Sequence, residues 1–147
     1  MADLDFSPEQ LLEQARGNQT ALWHLGLRWA RERDGSVDAW ARFVGEQFAP
    51  GWDEMADHAS AHEVARLAAL NLATTADMRP VKLSGDDLQA EVVIEGPDEQ
   101  SLTEWESKRE DNDRANELIF RAIAERLGMT LEARRDEAGL HLVFARR

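Results

Sequence analysis

The sequence predicts an α+β fold. A run of helices comes first, followed by a β-hairpin, one long helix and a second β-hairpin. A four-stranded, mostly antiparallel sheet would then lie under the long helix. Three observations carry this expectation. Up to about residue 78, apolar residues recur at three- and four-residue steps. From residue 79 the period drops to two, on either side of one helical segment. That segment, Ser101 to Gly128, has an apolar face beside the two hairpins, each of which has one apolar side to cover. The 147 residues fit one domain, 1–147, with a helical part at 1–78 and a ββαββ part at 79–147.

The elements follow in order. Ser7-Pro8-Glu9-Gln10 is a helix start: Ser7 caps, Pro8 suits the first helical position and Gln10 completes a capping box. Leu11, Leu12 and Ala15 give a short apolar edge, which Gly17 is expected to end. A second helix is expected from about Thr20 to Arg33. Leu22, Leu25 and Trp29 make one stripe; Trp23, Leu27 and Ala30 make another beside it. So wide an apolar arc packs on two sides, against a second helix of this chain or a partner chain. Ser36 is expected to cap a third helix carrying Val37, Trp40, Ala41, Val44 and Phe48. Pro50-Gly51 breaks the chain, and a short turn holds Trp52 and Met55.

Ser60 and Glu63 form a second capping-box pattern. Val64, Leu67, Ala68 and Leu72 face inward on a helix ending near Thr75. Asn71 interrupts that stripe. A buried asparagine must find partners, so it locks two helices or points into a cavity.

Val81–Leu83 reads as a short strand with Pro80 at its edge, and Ser84 to Asp87 as a turn. Leu88, Ala90, Val92 and Ile94 then alternate with polar or half-exposed positions. Gly96-Pro97-Asp98 leads into the long helix. Its second half carries Ala115, Leu118, Ile119, Ala122, Ile123 and Leu127. Its first half, Glu104 to Arg114, is charged apart from Trp105, Ser107 and Asn112. Met129, Leu131 and Ala133 alternate next, Asp136 to Gly139 turns, and Leu140, Leu142 and Phe144 alternate again.

This order of elements, from Val81 to Ala145 with the helices before it, resembles that of the vinyl-reductase-like domains and the related transport-particle subunits. The resemblance implies a binder of small molecules or acyl chains that often dimerises. The cysteines common in the C-terminal part of that family are absent here, and no residue role carries over.

Composition narrows the partners. There is no cysteine, which excludes disulfides, thiolate nucleophiles and cysteine-bound metals, and fits a cytoplasmic protein. The first residues hold no basic region or apolar run, so no secretory signal is expected. No apolar run is long enough for a membrane span. A net charge of -12 argues against nucleic acid and anionic membrane as partners. Arg134-Arg135 and Arg146-Arg147 are too short to reverse that.

Four sets of residues are candidates for a site. Trp23, Trp29, Trp40 and Trp52 crowd the first third of the chain, with Phe43 and Phe48 among them. They build an aromatic-walled pocket, a core or a dimer interface. Trp29 and Trp40 sit on regular stripes and read as core; Trp23 and Trp52 are the pocket or interface candidates. Glu54, His58 and His62 recur every four residues, a spacing that binds zinc or iron on a continuous helix. Ser60 as a helix cap breaks that continuity. Trp105, Arg109, Asn112 and Asn116 either face inward, with Arg109 holding an acid or amide, or lie on a solvated face stitched by Glu104–Lys108 and Glu110–Arg114. Asn71 is the fourth. His24 and His141 read as structural, and no Ser-His-Asp set or phosphate loop stands out. The sequence names no cofactor.

The leading expectation is therefore a small cytoplasmic binding domain for an apolar or acyl-like ligand, a second copy of itself, or both. A metal-assisted hydrolase using Glu54, His58 and His62 is the alternative from another class. A structural or regulatory interaction module is the third.

Overall fold

The sheet is built by two hairpins laid side by side. In the computed structural model, which describes residues 4–147, the strands are β1 (Pro80–Gly85), β2 (Gln89–Ile94), β3 (Met129–Asp136) and β4 (Gly139–Arg146). Their spatial order is β1-β2-β4-β3, and every neighbouring pair is antiparallel. The two inner strands, β2 and β4, pair from Gln89–Ala145 to Ile94–Leu140. That register puts Ala90, Val92 and Ile94 on one face with Leu140, Leu142 and Phe144, and all six are buried. The two-residue period of the sequence thus becomes one apolar floor. Pairing of β1 to β2 shifts register between Pro80 and Lys82, where the proline has no N–H to give the ladder.

Among the described residues six helices form the rest: α1 (Pro8–Asp34), α2 (Asp38–Phe48), a 3-10 helix (Ala49–Met55), α3 (Ala61–Ala73), α4 (Glu99–Trp105) and α5 (Arg109–Arg126). The apolar floor is roofed by two helices. α5 lies chiefly over β3, and α3 over β1, β2 and β4, so the long helix shares a cover expected of it alone. α2 and the 3-10 helix stack on α5, and α1 rests on α4 and α5. The molecule is sheet, then α3 and α5, then the remaining helices. Among the described residues no helix is long and apolar enough to cross a membrane.

Two expected boundaries move. α1 is a single helix of 27 residues, because Gly17 does not end it. An interior glycine costs a helix only about 1 kcal/mol, and without a left-handed cap it is no terminator. The start is fixed by the Ser7–Gln10 capping box, and the end by Gly35 in the left-handed conformation (φ 73°). In the other direction, the expected long helix splits into α4 and α5. Glu106 adopts a left-handed conformation (φ 52°, ψ 39°) and caps α4. Lys108 is extended and opens α5. Side chains hold this elbow: Arg28 reaches Glu106 at 2.7 Å, and the Arg109 guanidinium donates to the Pro97 carbonyl at 2.8 Å.

The first half of α5 is not a solvated face. Asp111, Asn112 and Asn116 are all buried. Each burial is compensated, as a buried polar group requires. Arg31 of α1 pairs with Asp111 through two nitrogens. Trp29, by contrast, is not core but 54% exposed, with the Arg33 guanidinium 5.1 Å above its ring. The arc of α1 is divided accordingly. Thr20, His24, Leu27 and Ala30 face inward, while Leu11, Leu22, Leu25 and Trp29 stand on the opposite, open side.

Candidate functional site

A cleft of about 680 Å³ opens in the helical layer. That is a usual size for a small-molecule site, roughly 300–1,000 Å³. Its floor is α5, presenting Asn116, Ile119, Phe120 and Ile123. One wall is α1, through Gln19, Leu22 and Trp23. The second is α2 and the 3-10 helix, through Trp40, Val44, Phe48, Trp52, Glu54 and Met55. The third is the end of α3 and the turn beyond it, through Leu67, Asn71, Leu72, Thr75 and Met78.

Local sequence explains why the cleft exists. The α1–α2 crossing is held apart by aromatic rings. Trp23 and Trp40 meet at a centroid distance of 5.6 Å, tilted by 57°. Trp40 lies so close to Gly26 that a Cβ there would stand 2.6 Å from its ring. The rings are wide, rigid and fixed at the base, and what lies between them and α3 is left unfilled. Pro50-Gly51 ends α2 and turns the chain into the 3-10 helix, which brings Trp52 back over the same space.

Polar groups in the walls are mostly engaged with one another. Trp23 Nε1 donates to Asn112 Oδ1 at 2.9 Å, and Asn112 Nδ2 donates to Asp113 Oδ1 at 3.2 Å. Asp113 in turn receives Arg135 of β3 at 2.8 Å. A hydrogen-bonded line therefore runs from the cleft wall through α5 to the sheet. Asn116 Nδ2 donates to the Asn112 carbonyl at 3.0 Å and contacts Met78 Sδ at 3.2 Å. No described residue donates to its carboxamide oxygen. Such networks fix side chains in place more than they add net stability.

Among the described residues Glu54 is the one charged residue in the lining, and no Lys, Arg or His joins it there. Among the described residues it has no ion-pair partner. Its neighbour Asp53 differs. Arg126 donates to both oxygens of Asp53, at 2.5 and 2.8 Å, and holds that carboxyl below its ordinary range. Arg16 of α1 donates to the Ala73 carbonyl, just beyond the lining residue Leu72, at 2.8 and 3.1 Å.

The expected site residues divide between the cleft and its surroundings. Trp23, Trp52 and Asn71 line it, and so does Glu54. Asn71 is exposed rather than buried, and donates to the Leu67 carbonyl one turn back at 2.8 Å. Trp105 and Arg109 lie outside. Arg109 is paired with Glu99 at 2.9 Å as well as with Pro97. Trp105 is stacked on His24, with centroids 5.8 Å apart and planes 6° from parallel. Glu54, His58 and His62 are not brought together. His58 follows the 3-10 helix in an exposed turn, and His62 sits in the first turn of α3 beyond its cap, Ser60. Among the described residues no three His, Asp or Glu side chains are grouped to hold a metal ion.

Sequence reading missed Met78 and Phe120 as lining residues and read Trp40 as core, while Asn116, one of the inward-facing candidates, does line the cleft. Trp40 gave a clean helical stripe, and such a stripe is the same for a core and for a cleft wall. It also missed a Ser-His-Asp chain formed by residues far apart in sequence. Asp77 only accepts, so His24 Nε2 donates to it, at 2.8 Å. His24 Nδ1 is hydrogen-bonded to the Ser107 hydroxyl, also at 2.8 Å. The ring has no exposed surface and lies flat under Trp105, and the aromatic cleft does not reach Ser107. This chain fastens α1 to the α4–α5 elbow.

A second cavity of about 540 Å³ lies on the outer side of α2 and α5, where Arg42, Arg121 and Arg126 meet Glu46 and Glu125. Its charges are mixed, three cations to two anions, in contrast to the aromatic cleft. No protein-family model matches this sequence, and no curated protein matches it either.

Proposed function

We propose that this protein works by binding a small, largely apolar ligand in the aromatic cleft of its helical layer. One observation carries this reading: three indoles, Trp23, Trp40 and Trp52, line one open cavity of ligand size. Apolar walls with few convergent polar groups suit a ligand that gives up most of its surface to the protein. Asn116 and Thr75 supply the polar contacts. The absence of cysteine is in keeping with a cytoplasmic setting.

Tryptophan emission tests this reading, because the chain has no tyrosine and three of its five indoles stand in the cleft. An environment-sensitive apolar dye is expected to bind one-to-one and change that emission. Trp52→Ala is expected to weaken the dye by about tenfold, the loss of a ring contact worth roughly 1.4 kcal/mol. Dye binding at full strength to Trp52→Ala overturns the proposal.

A second reading, self-association, is favoured by the open side of α1. Leu11, Leu22, Leu25 and Trp29 follow one another along one face, each about half exposed or more. Four side chains fall well short of the roughly 20–30 residues a side in a standard interface, so the dimer expected is weak. Sedimentation velocity over a wide concentration range reads it directly, and a concentration-independent monomer disposes of it.

A further inference from the structure

We infer that the cleft selects an organic cation, an alkylated or aryl ammonium with an apolar body, over a neutral or anionic ligand of the same shape. This rests on the cleft-binding reading and adds the sign of the ligand's charge to it.

Three features of the lining point the same way. Glu54 is its single charged residue and, among the described residues, carries no counter-ion, while Asp53 beside it is neutralised by Arg126. Glu54 is exposed, so water screens it and its pull on a bound ammonium is modest, but an unpaired carboxylate at the mouth still favours a cation over a neutral or anionic head group. The walls hold Trp23, Trp40, Trp52 and Phe120, whose ring faces carry partial negative charge and attract ammonium groups. Finally, among the described residues no cation lines the cavity to receive a carboxylate or phosphate. A fatty acid would therefore bury its head group against a like charge. The net charge of -12 adds a field of the same sign over the whole surface.

The test uses the full chain and three probes that share one eight-carbon tail: octyltrimethylammonium, 1-octanol and octanoate. Each is titrated below its micelle concentration by calorimetry and tryptophan emission. Salt is held at about 0.15 M, where the Debye length of roughly 8 Å removes the distant field but not Glu54. The ammonium is expected to bind roughly tenfold tighter than the alcohol, and octanoate weakest. Glu54→Gln is expected to bring the ammonium-to-alcohol ratio down to about threefold, the part left to the rings. Octanoate binding as tightly as the ammonium overturns the inference and leaves the cleft reading standing. So does a preference unchanged in Glu54→Gln. Failure of all three probes to bind removes both.

Discussion

α2 packs in two different ways on its two sides. Toward α5 it is closed by small residues. A Cβ at Gly45 would stand 2.9 Å from the Ala122 Cβ and 3.0 Å from the Ile119 Cα, so the two backbones nearly touch. Ala41, also fully buried, lies one turn before it. Toward α1 and the 3-10 helix, α2 presents Trp40, Val44 and Phe48 instead, and there the helices stand off around the cleft. Small side chains let helices meet along their length, because nothing keeps the ridges apart. Large rings meet at a few points and hold open what lies between. One helix thus builds a shut interface and an open one, and the difference is written in side-chain volume.

The comparison can be broken most directly at Gly45. Gly45→Val is expected to cost about 2–3 kcal/mol, since the added methyls have only the α5 backbone to push against. Urea denaturation measures it; a loss under about 0.5 kcal/mol means that the α2–α5 contact is looser than described. Trp52→Ala sharpens the other side. Removing a half-exposed wall of an open cleft leaves no sealed void, so stability should fall by under about 1.5 kcal/mol, less than the roughly 3–5 kcal/mol of a buried Trp→Ala. A larger loss would show that the ring supports the core and not the cleft alone.

The smallest effect is expected in the β3–β4 turn, remote from both sides. Asp136 accepts from His141 Nε2 at 2.8 Å, from the Ala138 N–H at 2.9 Å and from Arg134 at 2.9 Å. Those bonds, His141 first, hold its carboxyl down at about 2. A depressed folded-state value contributes stability above the unfolded value of about 3.9, and that contribution is lost as pH falls from about 4 to about 2. Asp136→Asn should flatten the melting temperature across that window and leave dye binding at neutral pH untouched. An unchanged acid profile would mean that other carboxylates dominate, among them Asp38, which is also held low by its bond to Arg114.

Legibility differed in the same way between regions. The sheet was readable because alternation and turn residues are local signals. Leu88 to Ile94 and Met129 to Phe144 state their own pattern, and the inner pairing of β2 with β4 follows once two hairpins share one roof. The helical layer was less readable, because its deciding features are contacts between distant residues. Gly17 looked like a stop, yet α1 passes through it. Glu106, an ordinary helix former, takes a left-handed conformation and splits the expected long helix. Asn112 looked like part of a wet face until Trp23, 89 residues away, was found to need its oxygen. Within the cleft, Trp23 and Trp52 were legible because no single stripe accounted for them. Trp40 was not, because one stripe did. Trp105 and Arg109 were misplaced by the same elbow at Glu106, which turns both toward α1 and Pro97 instead of the cleft.

One consequence of the β1 register shift concerns how copies of this chain can meet. β1 and β3 are the outer strands, and a bare outer strand invites another to add beside it and build a filament. Pro80 withholds a donor from β1, the irregular pairing at Lys82 twists that margin, and Lys82 puts a cation on it. On β3, Glu132 and Arg134 stand charged and exposed along the other margin. Both margins of the sheet thus carry features that discourage strand addition from a neighbouring copy, although Val81 and Leu83 leave some apolar surface on β1.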